Sequence, residues 1–343
     1  MKLGLSLPAM APRAEIDMET IRLAENLGYD SVWASEAWGS DAATVLAWIA
    51  SDTTRIRVGS AILQIPGRTP TMTAMTATTI NELSGGRFIL GLGASGPQVA
   101  EGWHGEPYGK PLGRTREYVS IVRQVAERKK PLQHKGDHYS IPITGPGTTG
   151  LGKPLKLITH PTHSLPIYLA AMGPRNVKLA AEIADGWLPT IFSPFRFEEV
   201  FKPSLDSGFR TSGDPEKVDR FKIAPTAMAV ITDDAIRARD RARPNLALYI
   251  GGMGAVNRNF YNDLVARYGY EEKAAEIQRL YLGGERLAAI RQVPDALIDE
   301  VSLIGTADQV QERLQIWKEA GVNTLIVAVS DDRTLRILPD LLP

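Results

Sequence analysis

The sequence predicts an α/β fold of the (β/α)8 TIM-barrel type, held as one domain across residues 1–343 with insertions at about 96–165 and about 233–300. Three observations predict it. Strand-like and helix-like runs alternate along the chain, and the strands are apolar on both faces, as in a parallel sheet covered by helices. Eight such strands can be counted, whereas an open doubly wound sheet more usually stops at five or six.

The elements follow in order. Residues 3–8 form a strand followed by a helical pattern over 17–27; strand 31–34 precedes a helix over 41–50, and strand 56–64 precedes one over 71–83. The run RFILGLG at 87–93 is the fourth strand. The rhythm then loosens: residues 114–128 are helical, and the Gly/Pro-rich HYSIPITGPGTTGLGKP is an excursion with a small hairpin. Alternation resumes with a fifth strand at 166–171 and a helix ending at Asp185-Gly186, then a sixth strand at 186–192 and a seventh at 222–231. A long helical segment over 233–300 separates these from the eighth strand, NTLIVAV at 323–329. With no internal repeat and no low-complexity tail, one domain is the simpler reading.

Composition excludes several functions. Lys plus Arg and Asp plus Glu both number 39, so no net field draws the chain to nucleic acid or anionic lipid. Cysteine is absent, which removes disulfides, thiolate nucleophiles and cysteine metal sites, and fits a reducing cytosol. The start, MKLGLSLPAM, is too short for a signal core, and no run of about 18 apolar residues occurs, so a soluble, cytoplasmic protein is expected.

A barrel turns sequence position into geometry, because the C-terminal ends of all strands share the rim where barrel enzymes keep their sites. The junction LAAMGPRN, residues 169–176, is a strand entering a helix: Gly173 permits the bend and Pro174 suits the first helical position. Free amides at such a helix start accept phosphate or carboxylate, with Arg175 adding charge, although any strand-to-helix turn has this form. SEAWGSD, QIPGR, GLGASG and PTIFSP complete the rim. They are small or aromatic, and only Glu36, Asp41 and, further along, Glu101 and His104 titrate usefully. Neither a nucleophile with its base nor a metal cluster is visible, so the pattern suits a phosphorylated heteroaromatic cofactor that carries its own chemistry.

The blocks VWASEAWGSD, ELSGGRFILGLGASG, YLAAMGPRNVKLAAEIADGWLP and LYIGGMGAVNRNFYNDL resemble the bacterial luciferase-like flavin and deazaflavin oxidoreductases, and closely the actinobacterial branch that uses coenzyme F420. The resemblance covers essentially the whole chain. It implies a dimeric barrel with its tricyclic cofactor at the C-terminal rim. By the same resemblance Ala171, Met172, Gly173, Pro174, Arg175 and Asn176 hold the cofactor phosphate, and Gly93, Ala94 and Ser95 line its ribityl chain or phosphate from the strand-four side. A bulge with a non-prolyl cis peptide, against which the ring bends, is expected near Gln64-Ile65. Many deazaflavin members have an acidic residue followed by His after strand two; here Glu36 is followed by Ala37 and Trp38. That leaves Glu36 for polar contact with the ring.

The expected chemistry is hydride transfer between carbon five of the deazaflavin and a small ketone, alcohol or enone. Glu101 and His104 are candidate proton donors, and both are also ordinary loop residues. Trp38, Trp103 and Phe260 could form an apolar pocket or belong to the core. His160 and His163 have a metal-like spacing without a third ligand, so a polar loop and no metal are expected. The arginines 237, 239, 241 and 243 read as a solvated helix face, with attraction for an acidic cofactor tail as the alternative. Gly251, Gly252 and Gly254 lack a following Lys and a preceding strand and so are no phosphate loop; the resemblance to the family places them in the helical insertion, over the site. Two other functions stay open: an FMN-dependent monooxygenase that uses oxygen and a partner reductase, and a deazaflavin-binding protein without catalysis. A small-molecule substrate, a homodimer, and neither nucleic acid nor membrane complete the expected partners.

Overall fold

The computed structural model describes residues 1–8 and 13–343. Thirteen strands are formed among them: β1 (Lys2–Ser6), β2 (Ser31–Ala34), β3 (Arg57–Ser60), β4 (Leu63–Gln64), β5 (Phe88–Gly93), β6 (His134–Lys135), β7 (Ser140–Ile141), β8 (Ile167–Ala170), β9 (Gly186–Leu188), β10 (Lys222–Ile223), β11 (Thr226–Ile231), β12 (Leu303–Gly305) and β13 (Thr324–Val329). All but β6 and β7 join one parallel sheet, in the order β10-β9-β8-β5-β3-β2-β1-β13-β11-β12, with β4 beside β5.

The sheet curls. Around Pro225 the chain is bonded on both edges, with Ala224 N donating to Trp187 O (2.9 Å) and Ile326 N donating to Pro225 O (2.9 Å). Proline has no amide to give the ladder, which is why residues 222–231 divide there into β10 and β11. The third predicted strand also divides, at Ala61-Ile62, and the sixth stops at Leu188.

Helices cover the sheet where side chains cap them. Asp17, Asp41 and Thr69 accept from the amides of Thr20, Thr44 and Met72 at the starts of Met18–Asn26, Ala42–Ser51 and Pro70–Leu83. The segment expected as one helix over 233–300 breaks into several, including Ala235–Ala247, Phe260–Val265, Glu271–Leu282, Arg286–Gln292 and Asp295–Val301. Strand β12 follows it, unforeseen because three residues carry too little pattern. The hairpin of the first insertion pairs His134–Lys135 with Ser140–Ile141, so it begins upstream of the Gly/Pro-rich stretch.

Two apolar layers result. The larger lies between sheet and helices; the smaller fills the inside of the curl with Trp33, Ile89, Tyr168, Leu188, Ala224 and Ile326. Trp33 fits only because its neighbours are glycines: a Cβ on Gly59 would lie 2.5 Å from the indole, and one on Gly4 would lie 2.7 Å away. This filled interior makes the sheet a plug whose upper surface is the floor of any site above it.

Candidate active site

The floor is built from small and aliphatic groups. Ala61, Ile62 and Ala170 pack on the inner cluster at the C-terminal ends of their strands. The expected non-prolyl cis peptide exists but lies at Ala61-Ile62, not at Gln64-Ile65, because the break between β3 and β4 falls there. Gly93 lies under Ile62, where a Cβ would be 3.0 Å from its side chain. Beneath them Ser60 Oγ joins both the carbonyl and the amide of Gly91 at 2.9 Å. The neighbouring Ala94 and Ser95 are half-buried, and Ser95 holds a left-handed φ of 58°.

Between β8 and the helix Pro174–Ile183 lies the predicted notch. Among the described residues the amides of Met172, Gly173, Arg175 and Asn176 donate to nothing, no side chain caps the helix, and a Cβ placed on Gly173 would meet no atom within 4 Å. The turn's carbonyls are occupied instead: Trp187 Nε1 donates to Ala171 O (2.8 Å) and Arg267 Nη2 to Met172 O (2.9 Å). With its carbonyls turned away, the notch presents donors and a helix start, the environment an anion needs. Pro174 and Arg175 are exposed. Half-buried Arg267 forms no ion pair among the described residues, and burial lowers its pKa. It comes from the second insertion, and nothing in the sequence pointed to it because it lies 95 residues from its partner.

A polar cluster gathers at the ends of β2 and β4. Glu36, at the end of β2, pairs with Arg68 at 2.8 Å and accepts from Gln64 N at 3.0 Å. Burial pushes its carboxyl above the ordinary range, opposed by the Gln64 amide and by Arg68. Arg68 also pairs with Asp41. Arg68 was legible as part of QIPGR on the rim, but its charge received no role. Gln64 is buried; its Nε2 donates to Glu36 O (3.3 Å) and Ala37 O (3.1 Å), and its Oε1 meets His104 Nε2 at 2.5 Å. The imidazole rests over Gly67, where a Cβ would fall 2.9 Å from Cε1. Thus Glu36, Gln64 and His104 come together.

Other predicted residues do not join them. Glu101, in the short helix Pro97–Gly102, is exposed, its Oε1 accepting from Tyr108 N at 3.2 Å in the segment that follows. Ile65 is buried in the core. Trp38, Trp103 and Phe260 are 50%, 64% and 41% exposed. Arg239 pairs with Asp299 and Arg243 with Asp240 and Asp295, leaving Arg237 and Arg241 on the solvated face. His163 stacks over Gly86, and its amide donates to Glu82. Gly251 and Gly252 let Tyr281 approach to 2.6 Å and 2.5 Å of where their Cβ atoms would lie, so these glycines serve helix packing. A cleft of about 470 Å³ opens on the same rim, at the C-terminal ends of β1, β2 and β13 beside the helices Met18–Asn26, Ala42–Ser51 and Asp332–Ile337; its lining reaches Ser35 and Ser40, next to Glu36 and Asp41, and includes none of the assigned residues themselves.

The chain is similar to known proteins along nearly its whole length. The luciferase-like monooxygenase family model matches residues 3–324. A Mycobacterium tuberculosis protein, provisionally named a coenzyme F420-dependent oxidoreductase, is 47% identical over 343 residues, 99% of each chain. The 5,10-methylenetetrahydromethanopterin reductase of Archaeoglobus fulgidus is 31% identical over 89% of this chain and 87% of its own. In structure, the coenzyme F420-dependent tetrahydromethanopterin reductase of Methanopyrus kandleri superposes with a TM-score of 0.80 at 24% identity, covering 99% of this chain and 98% of that one. The curled parallel sheet with its covering helices is a luciferase-like fold, and the chain belongs to the luciferase-like monooxygenase family.

Proposed function

We propose that this protein is an oxidoreductase that binds coenzyme F420 at the rim and exchanges hydride between it and a small ketone, alcohol or enone. The observation that carries the reading is the set of unbonded amides at Met172, Gly173, Arg175 and Asn176, a ready cradle for a phosphoryl group. The named relatives direct the choice of cofactor.

The residues fit such a group. The phosphoryl would sit on those four amides, with Arg175 and Arg267 supplying charge and Ala171 and Pro174 shaping the turn. The ring would lie on Ala61, Ile62, Gly93 and Ala170, flanked by Ala94 and Ser95 and by Glu36 as a polar contact. When bound, the deazaflavin supplies hydride chemistry at carbon five. The chain itself orients the reactants, excludes water and holds a proton at His104. Glu101 is the second candidate donor.

We read the curled sheet as a (β/α)8 barrel, counting β3 with β4 and β10 with β11 as single staves and β12 as an addition. We propose further that it is a single domain, a homodimer and cytoplasmic. Fluorescence titration of the purified protein with F420 and FMN tests the cofactor. Tight F420 binding supports the reading, and FMN binding alone would replace it with an FMN-dependent monooxygenase. Turnover of a panel of cyclic ketones, alcohols and enones separates the enzyme from a non-catalytic carrier.

A further inference from the structure

We infer that Gln64 is a positioning residue that locks His104 in one tautomer, leaving Nδ1 as the nitrogen that handles the substrate proton. The inference rests on the proposed reaction only for the role of Nδ1; the tautomer itself follows from the hydrogen bonds.

The amide of Gln64 has a forced orientation. Its nitrogen faces two carbonyl oxygens, Glu36 O and Ala37 O, at 3.3 and 3.1 Å. The reverse orientation would set three oxygens against one another with no proton between them. Oε1 is therefore the atom that meets His104, and it can only accept. Hence the Nε2 atom of His104, 2.5 Å away, carries a proton in the neutral and the charged ring alike. Nδ1 has no partner among the described residues and is the only nitrogen of the ring that can change protonation while this bond lasts.

The surroundings brace the Gln64–His104 pair. Gln64 N donates to Glu36, Glu36 is fixed by Arg68, and Gly67 leaves the space the imidazole occupies. Both amide hydrogens of Gln64 and one lone pair of its Oε1 are thereby engaged. Its place on the rim was read from the sequence, but this function was not. The chain that lacks a His after Glu36 thus brings one to the same wall from the loop after β5.

In the reducing direction the carbonyl carbon takes up the hydride that the cofactor provides. The π electron pair moves onto the substrate oxygen, and the proton leaves Nδ1 for that oxygen. The ring ends neutral, with Nε2–H still on Gln64. The reverse reaction returns the proton to Nδ1.

Nuclear magnetic resonance of 15N-histidine-labelled full-length protein at about pH 8, where imidazole is neutral, tests the lock. With His104→Gln as the assignment control, one ring should show a protonated Nε2 with a slowly exchanging proton and an unprotonated Nδ1. That proton signal should vanish in Gln64→Met, and also in Gly67→Ala, which displaces the ring but keeps Gln64. A protonated Nδ1 in the wild type, or an unchanged signal in both variants, overturns the lock. His104→Gln also preserves a donor near the Nε2 position while deleting Nδ1. Loss of at least about 100-fold in kcat with unaltered F420 affinity supports the proton role. Full turnover in His104→Gln with the tautomer intact would overturn that role alone, and wild-type protein that binds no F420 would overturn the underlying functional reading.

Discussion

Arg68 and Glu36 form an ion pair of 2.8 Å at the rim, in which the carboxylate side chain is 9% exposed and the guanidinium 19%. The pair joins the end of β2 to the turn after β4. It therefore supports both the floor of the site and the wall that carries His104.

Removing the cation should be costly and pH-dependent. Arg68→Met leaves a buried carboxylate without its partner, and urea denaturation at neutral pH should show a loss of about 3 kcal/mol. Burial already raises the Glu36 pKa above its ordinary value of 4.5. A folded-state pKa above the unfolded one gives stability that is complete below the unfolded value and is lost as pH rises through the folded value. Without Arg68 the folded value climbs further, so the gap between variant and wild type should shrink as pH falls toward 5. A gap that widened on acidification would contradict the assignment.

Arg267 should matter more for phosphate than for the rest of the cofactor. It donates to Met172 O at 2.9 Å and has no acidic partner among the described residues. Arg267→Met should weaken F420 binding by about 10- to 100-fold, the worth of one charge-assisted hydrogen bond. Affinity for the phosphate-free deazaflavin nucleoside should not change. Equal losses for both ligands would instead mean a collapsed insertion.

Arg87 makes the opposite prediction. Its Nε, Nη1 and Nη2 donate five bonds, to Ser84 O, Thr53 Oγ1, Ile56 O, Ala50 O and Thr53 O. They tie the end of helix Ala42–Ser51 to the start of β5, at the face of the sheet away from the site. Arg87→Met should cost about 3 kcal/mol in denaturation because several carbonyls lose their donor together. F420 affinity of the folded variant should equal that of the wild type.

The two floor glycines should separate folding from binding. A Cβ on Gly91 would sit 1.8 Å from the Ser60 carbonyl oxygen, part of the backbone, so Gly91→Ala should not yield folded protein. On Gly93 the conflict at 3.0 Å is with the end of the Ile62 side chain, which can rotate. Gly93→Ala should therefore fold, by circular dichroism, yet bind cofactor more weakly as Ile62 moves into the space above the floor.

Much of this molecule was legible from local pattern. The strands at 31–34 and 87–93 and the turn at 173–174 announce themselves through apolar runs, Gly and Pro, because backbone preference and burial act over a few residues. The divided strands were less legible: Pro225 was visible, but whether a proline interrupts a strand depends on which edge needs its amide. Exposed Glu101, in the short helix Pro97–Gly102, and engaged His104, just beyond its end, lie three residues apart, and composition treats them alike.

The sequence by itself determined the alternating architecture, the turn from strand to helix at Gly173-Pro174, and the absence of cysteine or strong net charge. Only the tertiary structure decided that His104 meets Gln64 across 40 residues, that Arg267 reaches Met172 across 95, and that the cis peptide falls at Ala61-Ile62. The physical reason is range. Periodicity records which face of a segment leaves water, a property each segment expresses alone, whereas hydrogen-bond partners are chosen by how the insertions fold back over the rim, which no local stretch encodes.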